Sequence, residues 1–234
     1  MSGYKTLKEE AWLANQELPH RGVVLYTFGN VSAFDRNQGV FAIKPSGVPY
    51  ESLKVSDMVI VDLECRIVEG RLKPSSDTQT HAVLYRQFAD IGGIAHTHST
   101  HATAWAQAGR SIPIYGTTHA DHLAMDVPCT KIMTDDAIQG DYEEETGNQI
   151  VAAFQLLNPV EVEMVLVSGH GPFTWGKTAM KAVYNAVILE ELAKMAWITE
   201  QVNGKVTRLK KTLIDKHYFR KHGKDAYYGQ NETK

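Results

Sequence analysis

Cysteine is scarce in this chain. Of 234 residues only Cys65 and Cys129 carry a thiol, far apart and in no C-x-x-C pair. That excludes a disulfide scaffold and a cysteine-rich zinc site. An excess of one charge is missing as well: 24 Lys+Arg face 27 Asp+Glu, a formal net charge of −3, so there is no basic footprint for nucleic acid. No apolar run approaches the ~20 residues needed to cross a bilayer, and the opening MSGYKTLKEE is too charged for a secretory h-region. A cytoplasmic protein without nucleic-acid or membrane partners is expected. What is present is ordinary for a globular chain: 43% hydrophobic and 22% charged residues. A chain of this length buries about 70% of its surface on folding. One domain is expected, since no repeat or Pro/Gly/Ser linker divides it.

Periodicity predicts a helix over 4–18, with Leu7, Ala11, Leu13, Ala14 and Leu18 at roughly helical spacing and Pro19 as a stop. Strands are expected at Val23–Asn30, Val40–Lys44, Met58–Leu63 and Arg66–Glu69. SSDTQTHAVLYRQF reads as a capped helix, GGIAHTHS as a strand, and Ala102–Ala108 as a helix closed by Gly109. The stretch Tyr115–Cys129 reads as a loop, and DYEEETGNQIVAAFQLL as a helix with acids in its first turn, where the macrodipole favours them. VEMVLVSGHGPFTWG reads as two short strands about a turn, 179–202 as the strongest helix, and 207–221 as a basic helix ending at Gly223. Strands gathered early with helices at both ends predict an α/β fold, a mostly antiparallel sheet covered by helices.

Histidine carries the chemistry. Six of ten fall between His81 and His122, and HTHSTH supplies His96, His98 and His101. On a strand, side chains two apart share a face, so His96 and His98 project together and can grip one ion. The ordinary alternative is a pair of core or surface histidines. A catalytic site needs a third ligand, for which His170 in SGHGPF is the best remote candidate. Asp77 either adds a carboxylate or caps the helix that follows it. His81, on an apolar stripe with Leu84 and Phe88, reads as a hydrogen-bonded core histidine. GPFTWGKT, from Gly171 to Thr178, matches the phosphate-loop pattern formally, but Pro172 lacks an N–H and Phe173 and Trp175 are bulky.

The blocks TFGNVSAFD, IKPSG, KPSSDT, GGIAHTHSTHATAWAQAG, TTHAD and DKHYFRKHGKDAYYGQ resemble the class II sugar-phosphate aldolase/epimerase family over nearly the whole chain. The closing YYGQ favours its epimerase branch. The resemblance implies a single domain over 1–234, with a mostly antiparallel sheet sandwiched between helices. It also implies a homotetramer, with the tail near 222–234 completing a neighbour's site. It places one Zn²⁺ per subunit on His96, His98 and His170, with Asp77 in the metal shell. The related fuculose-phosphate aldolases carry glutamate at that position, so the shorter aspartate favours an epimerase. Gly29, Asn30 and Lys44 correspond to substrate contacts, as do Ser46, Gly47, Ser75 and Ser76. Hydroxyls, glycine-permitted backbone N–H groups and a lysine suit a phosphate, although Ser and Gly also favour plain turns. Proton transfer falls by resemblance to Asp121 and Tyr228, with His217 assisting. The implied activity interconverts L-ribulose 5-phosphate and D-xylulose 5-phosphate. After THAD the chain departs from its relatives at HLAMDVP, where His122 and Leu123 could reshape the pocket wall.

Overall fold

The structure, a computed structural model, describes residues 3–222 together with 226 and 227. Seven strands form one sheet: β1 (Asn30–Asp35), β2 (Val40–Ile43), β3 (Val59–Asp62), β4 (Ile67–Glu69), β5 (Gly93–His96), β6 (Met164–Val167) and β7 (Gly171–Gly176). Their order is β4-β3-β2-β1-β5-β7-β6, and every neighbouring pair runs antiparallel. The period of two sorts the side chains by size. Val31, Ala33, Ala42 and Ala95 share a small-residue face packed with α1 (Lys5–His20) and the first half of α7 (Ala179–Val202). Phe34, Phe41, Ile43, Ile94, Phe173 and Trp175 fill the other face, under α2 (Thr78–Gln87), α3 (Thr100–Gln107) and α6 (Tyr142–Ala153). Each large side chain fully buried there contributes about 1.5–3 kcal/mol. Helices therefore cover both faces, as the sequence pattern predicts.

Two helices on the large-residue face approach unusually closely. A Cβ at Gly147 of α6 would stand 2.6 Å from Val83 Cβ of α2, so only glycine permits this spacing. Three further helices complete the order: α4 (Thr117–Ala120), α5 (Asp135–Gln139) and α8 (Lys211–Lys221). Among the described residues no helix is long and apolar enough to cross a membrane.

Most predicted elements form, α7 over the very span expected, but several differ. Val23–Asn30 is not a strand; the chain turns there, with Tyr26 at φ 52° and Gly29 at φ 77°, and pairing begins at Asn30. Pro19 sits inside the last turn of α1 instead of stopping it. The Tyr115–Cys129 loop contains α4, and α8 starts four residues later than 207. Gly223 lies outside the described residues. The phosphate-loop match is a strand: Gly171–Gly176 is β7, buried throughout, and cannot wrap an anion.

Candidate active site

His96 is the last residue of β5, and its side chain lies on the large-residue face with Phe173 stacked on it, ring centroids 4.1 Å apart. The strand assignment ends there, short of the predicted GGIAHTHS, so His98 stands just beyond it, before α3. His170 comes from the β6–β7 turn, where Gly169 adopts φ 74°. A side chain at the next glycine, Gly171, would crowd Thr97 O at 3.0 Å. The three imidazoles converge as the sequence predicts. One ligand nitrogen from each lies within 4.8 Å of the others.

The tautomer of His96 follows from its surroundings. Its Nδ1 lies 2.9 Å from Pro172 O, an acceptor only, so Nδ1–H donates and Nε2 is the ring nitrogen turned toward the site. That nitrogen faces His98 Nε2 at 3.0 Å. Two ligands at 2.0–2.1 Å on a tetrahedral ion stand about 3.3 Å apart, so the pair is already spaced for one cation. Burial pulls the His98 imidazolium down, and burial with the charge of His96 brings His170 to about 4. Both are therefore neutral near pH 7, the form that binds metal. The donor set fits a divalent ion such as Zn²⁺.

Asp77 occupies the N-cap position of α2 but makes no side-chain cap bond. Its carboxylate instead accepts from Asn30 Nδ2 at 2.6 Å and faces the same cavity as the histidines. Burial alone would raise its pKa; the charges of His96, His81 and His170 and the Asn30 bond outweigh that and hold it low. His81 is the core histidine expected, fully buried, with Nδ1 2.7 Å from Ser32 Oγ.

A cavity of about 390 Å³ opens over this centre. Gly29, Asn30, Lys44, Ser46, Gly47, Ser75 and Ser76 all line it together with Asp77, His96, His98 and His170. Lys44 is buried, and desolvation lowers its pKa to about 8. Tyr142 and Glu143 also line the cavity, and Tyr142 Oη lies 3.4 Å from His170 Nδ1. Sequence reasoning missed both, because acids opening a helix are sufficiently explained by its dipole.

Asp121 and His217 meet elsewhere. His217 Nδ1 is 3.0 Å from Asp121 Oδ1, and Arg220 donates from Nε and Nη2 at 3.0 and 2.7 Å. Burial works to raise the Asp121 pKa, but Arg220, His217 and Lys221 hold the carboxyl below its usual range. Neither Asp121 nor His217 lines the histidine cavity of its own chain. Tyr228 lies outside the described residues. Of the two departures after THAD, His122 lies with its ring 5.9 Å from that of Tyr184 and Leu123 is buried; both line a separate cavity near α8.

Residues 9–197 match the family model described as Class II Aldolase and Adducin N-terminal domain. The chain is 51% identical over 224 residues to the L-ribulose-5-phosphate 4-epimerase UlaF of Salmonella paratyphi B, covering 96% of this chain and 98% of that one. The same figures hold for the protein of that name from Salmonella typhi. Among solved structures it resembles an L-fuculose 1-phosphate aldolase, with TM-score 0.77, 24% identity, and coverage of 94% of this chain and 97% of the other. A sugar-phosphate aldolase from Thermotoga maritima aligns with TM-score 0.66 at 15% identity, covering 90% and 100%. At those identities the two structures speak for the fold alone.

Proposed function

Because the chain belongs to the class II aldolase and adducin N-terminal domain family, we propose that it is a metal-dependent epimerase of the cytoplasm, interconverting L-ribulose 5-phosphate and D-xylulose 5-phosphate. The observation that carries this reading is the 51% identity, over 96% of the chain, to an L-ribulose-5-phosphate 4-epimerase. The cavity is chemically suited to it, with three converging imidazoles at one end and a lysine with serines at the other.

Carbon 4 of a ketopentose phosphate is not adjacent to the C2 carbonyl, so its hydrogen is not acidic and simple deprotonation cannot invert it. Breaking the C3–C4 bond is feasible, because the electrons left on C3 delocalise into that carbonyl. Held by His96, His98 and His170 with Asp77 beside them, Zn²⁺ or a similar ion would supply Lewis-acid stabilisation of charge on the substrate oxygens. Lys44 adds a positive charge for the phosphate, and Ser46, Gly47, Ser75 and Ser76 offer hydroxyls and backbone N–H groups to it. Asn30, bonded to Asp77, orients that carboxylate. The aldehyde fragment rotates and recombines on its other face.

Each orientation of the C4 oxygen needs its own proton donor and acceptor. We assign these to Asp121, oriented by His217, and to Tyr228. Since Asp121 stays away from the cavity of its own chain, the reading requires a second copy to bring the pair to it. A homotetramer with sites between subunits, the tail near 222–234 reaching a neighbour, meets that need. The test is a coupled assay for D-xylulose 5-phosphate with metal analysis of the same sample. Release of free glycolaldehyde phosphate without epimerisation would make the chain an aldolase instead, and no turnover would defeat both readings.

A further inference from the structure

Tyr50 lies in the turn beyond Lys44. Its carbonyl accepts from Gln16 Nε2 at 2.8 Å, and Trp12 Nε1 donates to Leu53 O at 2.8 Å, so α1 fixes the turn's backbone. The residue is 2% exposed, yet it is not merely packed. Its hydroxyl spans two main-chain acceptors, Phe28 O and Gly29 O, each at 2.9 Å. Its ring lies under the Lys44 ammonium, 4.9 Å from nitrogen to centroid. One side chain thus touches both halves of the cavity.

Each contact falls where the site has little latitude. Gly29 has φ 77°, and a Cβ there would meet His96 O at 2.7 Å, so the turn is pressed against β5. The next residue is Asn30, whose amide holds Asp77. On the other side, no carboxylate pairs with Lys44 among the described residues; its ammonium has only Pro45 O at 3.5 Å and the face of Tyr50. An aromatic face attracts a cation more strongly where water is excluded.

We propose that Tyr50 is a positioning residue of this cavity: its hydroxyl sets the turn that delivers Asn30 to Asp77, and its ring holds the Lys44 ammonium toward the phosphate end. The proposal deepens the sugar-phosphate reading and rests on it for the identity of the substrate. The two halves separate by mutation. Tyr50→Phe keeps the ring and removes the hydroxyl; it should lower kcat about tenfold, with KM and inorganic-phosphate binding within about twofold of wild type. Tyr50→Leu removes both and should in addition weaken inorganic phosphate about 3- to 30-fold.

The pH profile supplies a readout that packing would not move. The other titratable groups on the cavity are Asp77, His96, His98, His170, Tyr142 and Glu143, none of them carried by the substituted residue. Burial already brings Lys44 to about 8, and losing the ring's attraction favours the neutral amine further. The alkaline fall of kcat/KM should therefore move to lower pH in Tyr50→Leu and stay in place in Tyr50→Phe. Variants with wild-type kinetics, phosphate affinity and pH profile, altered only in melting temperature, would reduce Tyr50 to a packing residue and overturn the proposal. If Tyr50→Leu does not fold, the split between kcat and KM in Tyr50→Phe decides. A wild type that turns over no pentulose phosphate defeats the functional reading alone, because the phosphate titrations still judge Tyr50.

Discussion

The histidine centre and the Asp121 cluster are built on opposite plans. The first grows out of the sheet: His96 ends a central strand, its ring is oriented by Pro172 O, and Asp77 is held by Asn30 of the adjacent strand. The second joins a four-residue helix to a late one, with a small core of Ile114, Ala120 and Ile214 and a carboxylate gripped by Arg220 and His217. The first is thus oriented by a main-chain carbonyl and a side-chain amide, and the second is held by charge. The proposed chemistry needs both, and a single chain keeps them apart.

The largest expected effect separates the two regions outright. His98→Ala or chelation should strip the metal and abolish turnover, and added Zn²⁺ or a similar ion should restore only the chelated wild type. Full activity in a verified metal-free sample breaks the comparison at its root. Next in size, Asp121→Asn should slow epimerisation by about 10²–10⁴-fold while metal content stays at one per chain. Loss of metal from that variant would show that the clusters are not independent. Tyr228→Phe should let labelled glycolaldehyde phosphate enter one epimer without crossing to the other; crossing at the wild-type rate would remove Tyr228 from the mechanism.

The smallest effect is on stability and distinguishes the regions by pH. His81, brought to about 3 by burial, lies below the ordinary histidine value of ~6.5, so the unfolded chain takes up its proton first. Its contribution is complete above that ordinary value and is lost as pH falls toward the folded one. Asp121 is depressed from the ordinary carboxylate value of ~3.9, so its contribution holds above that value and disappears only below it. Metal-free protein should lose several degrees of Tm between pH 7 and 5, while the Asp121 carboxylate stays ionised against Arg220 until about pH 4. A Tm flat across that range would contradict the assigned burial of the imidazole.

The same contrast explains what the sequence could reveal. His96 and His98 are legible because they stand two apart in one short motif at the end of a strand, and the seven cavity-lining residues are legible because their motifs are contiguous. The pairing of Asp121 with His217 spans 96 residues, and no periodicity marks a contact between a short helix and a distant one. The strand error has a local cause. VVLYTF has the composition of a buried strand, but the positive φ at Tyr26 and Gly29 turns the chain, and Leu25, Tyr26 and Phe28 remain exposed. The true strand, NVSAFD, is masked by its own small and polar residues, which the size-sorted faces of the sheet require. Tyr50 is invisible for another reason: its role exists only once α1, the 28–30 turn and Lys44 are assembled around it.

Gly147 gives the cavity a caliper. Because α6 rests on Val83 of α2 with no methyl between them, the separation of these two helices is gauged by one hydrogen atom. Asp77 precedes the first turn of α2, while Tyr142 and Glu143 open α6, so that gauge also sets the breadth of the cavity between them. A larger residue at 147 would push α2 and α6 apart, whereas His96, His98 and His170 stand on neither helix. The width of the cavity is therefore set at a contact between two residues that do not line it.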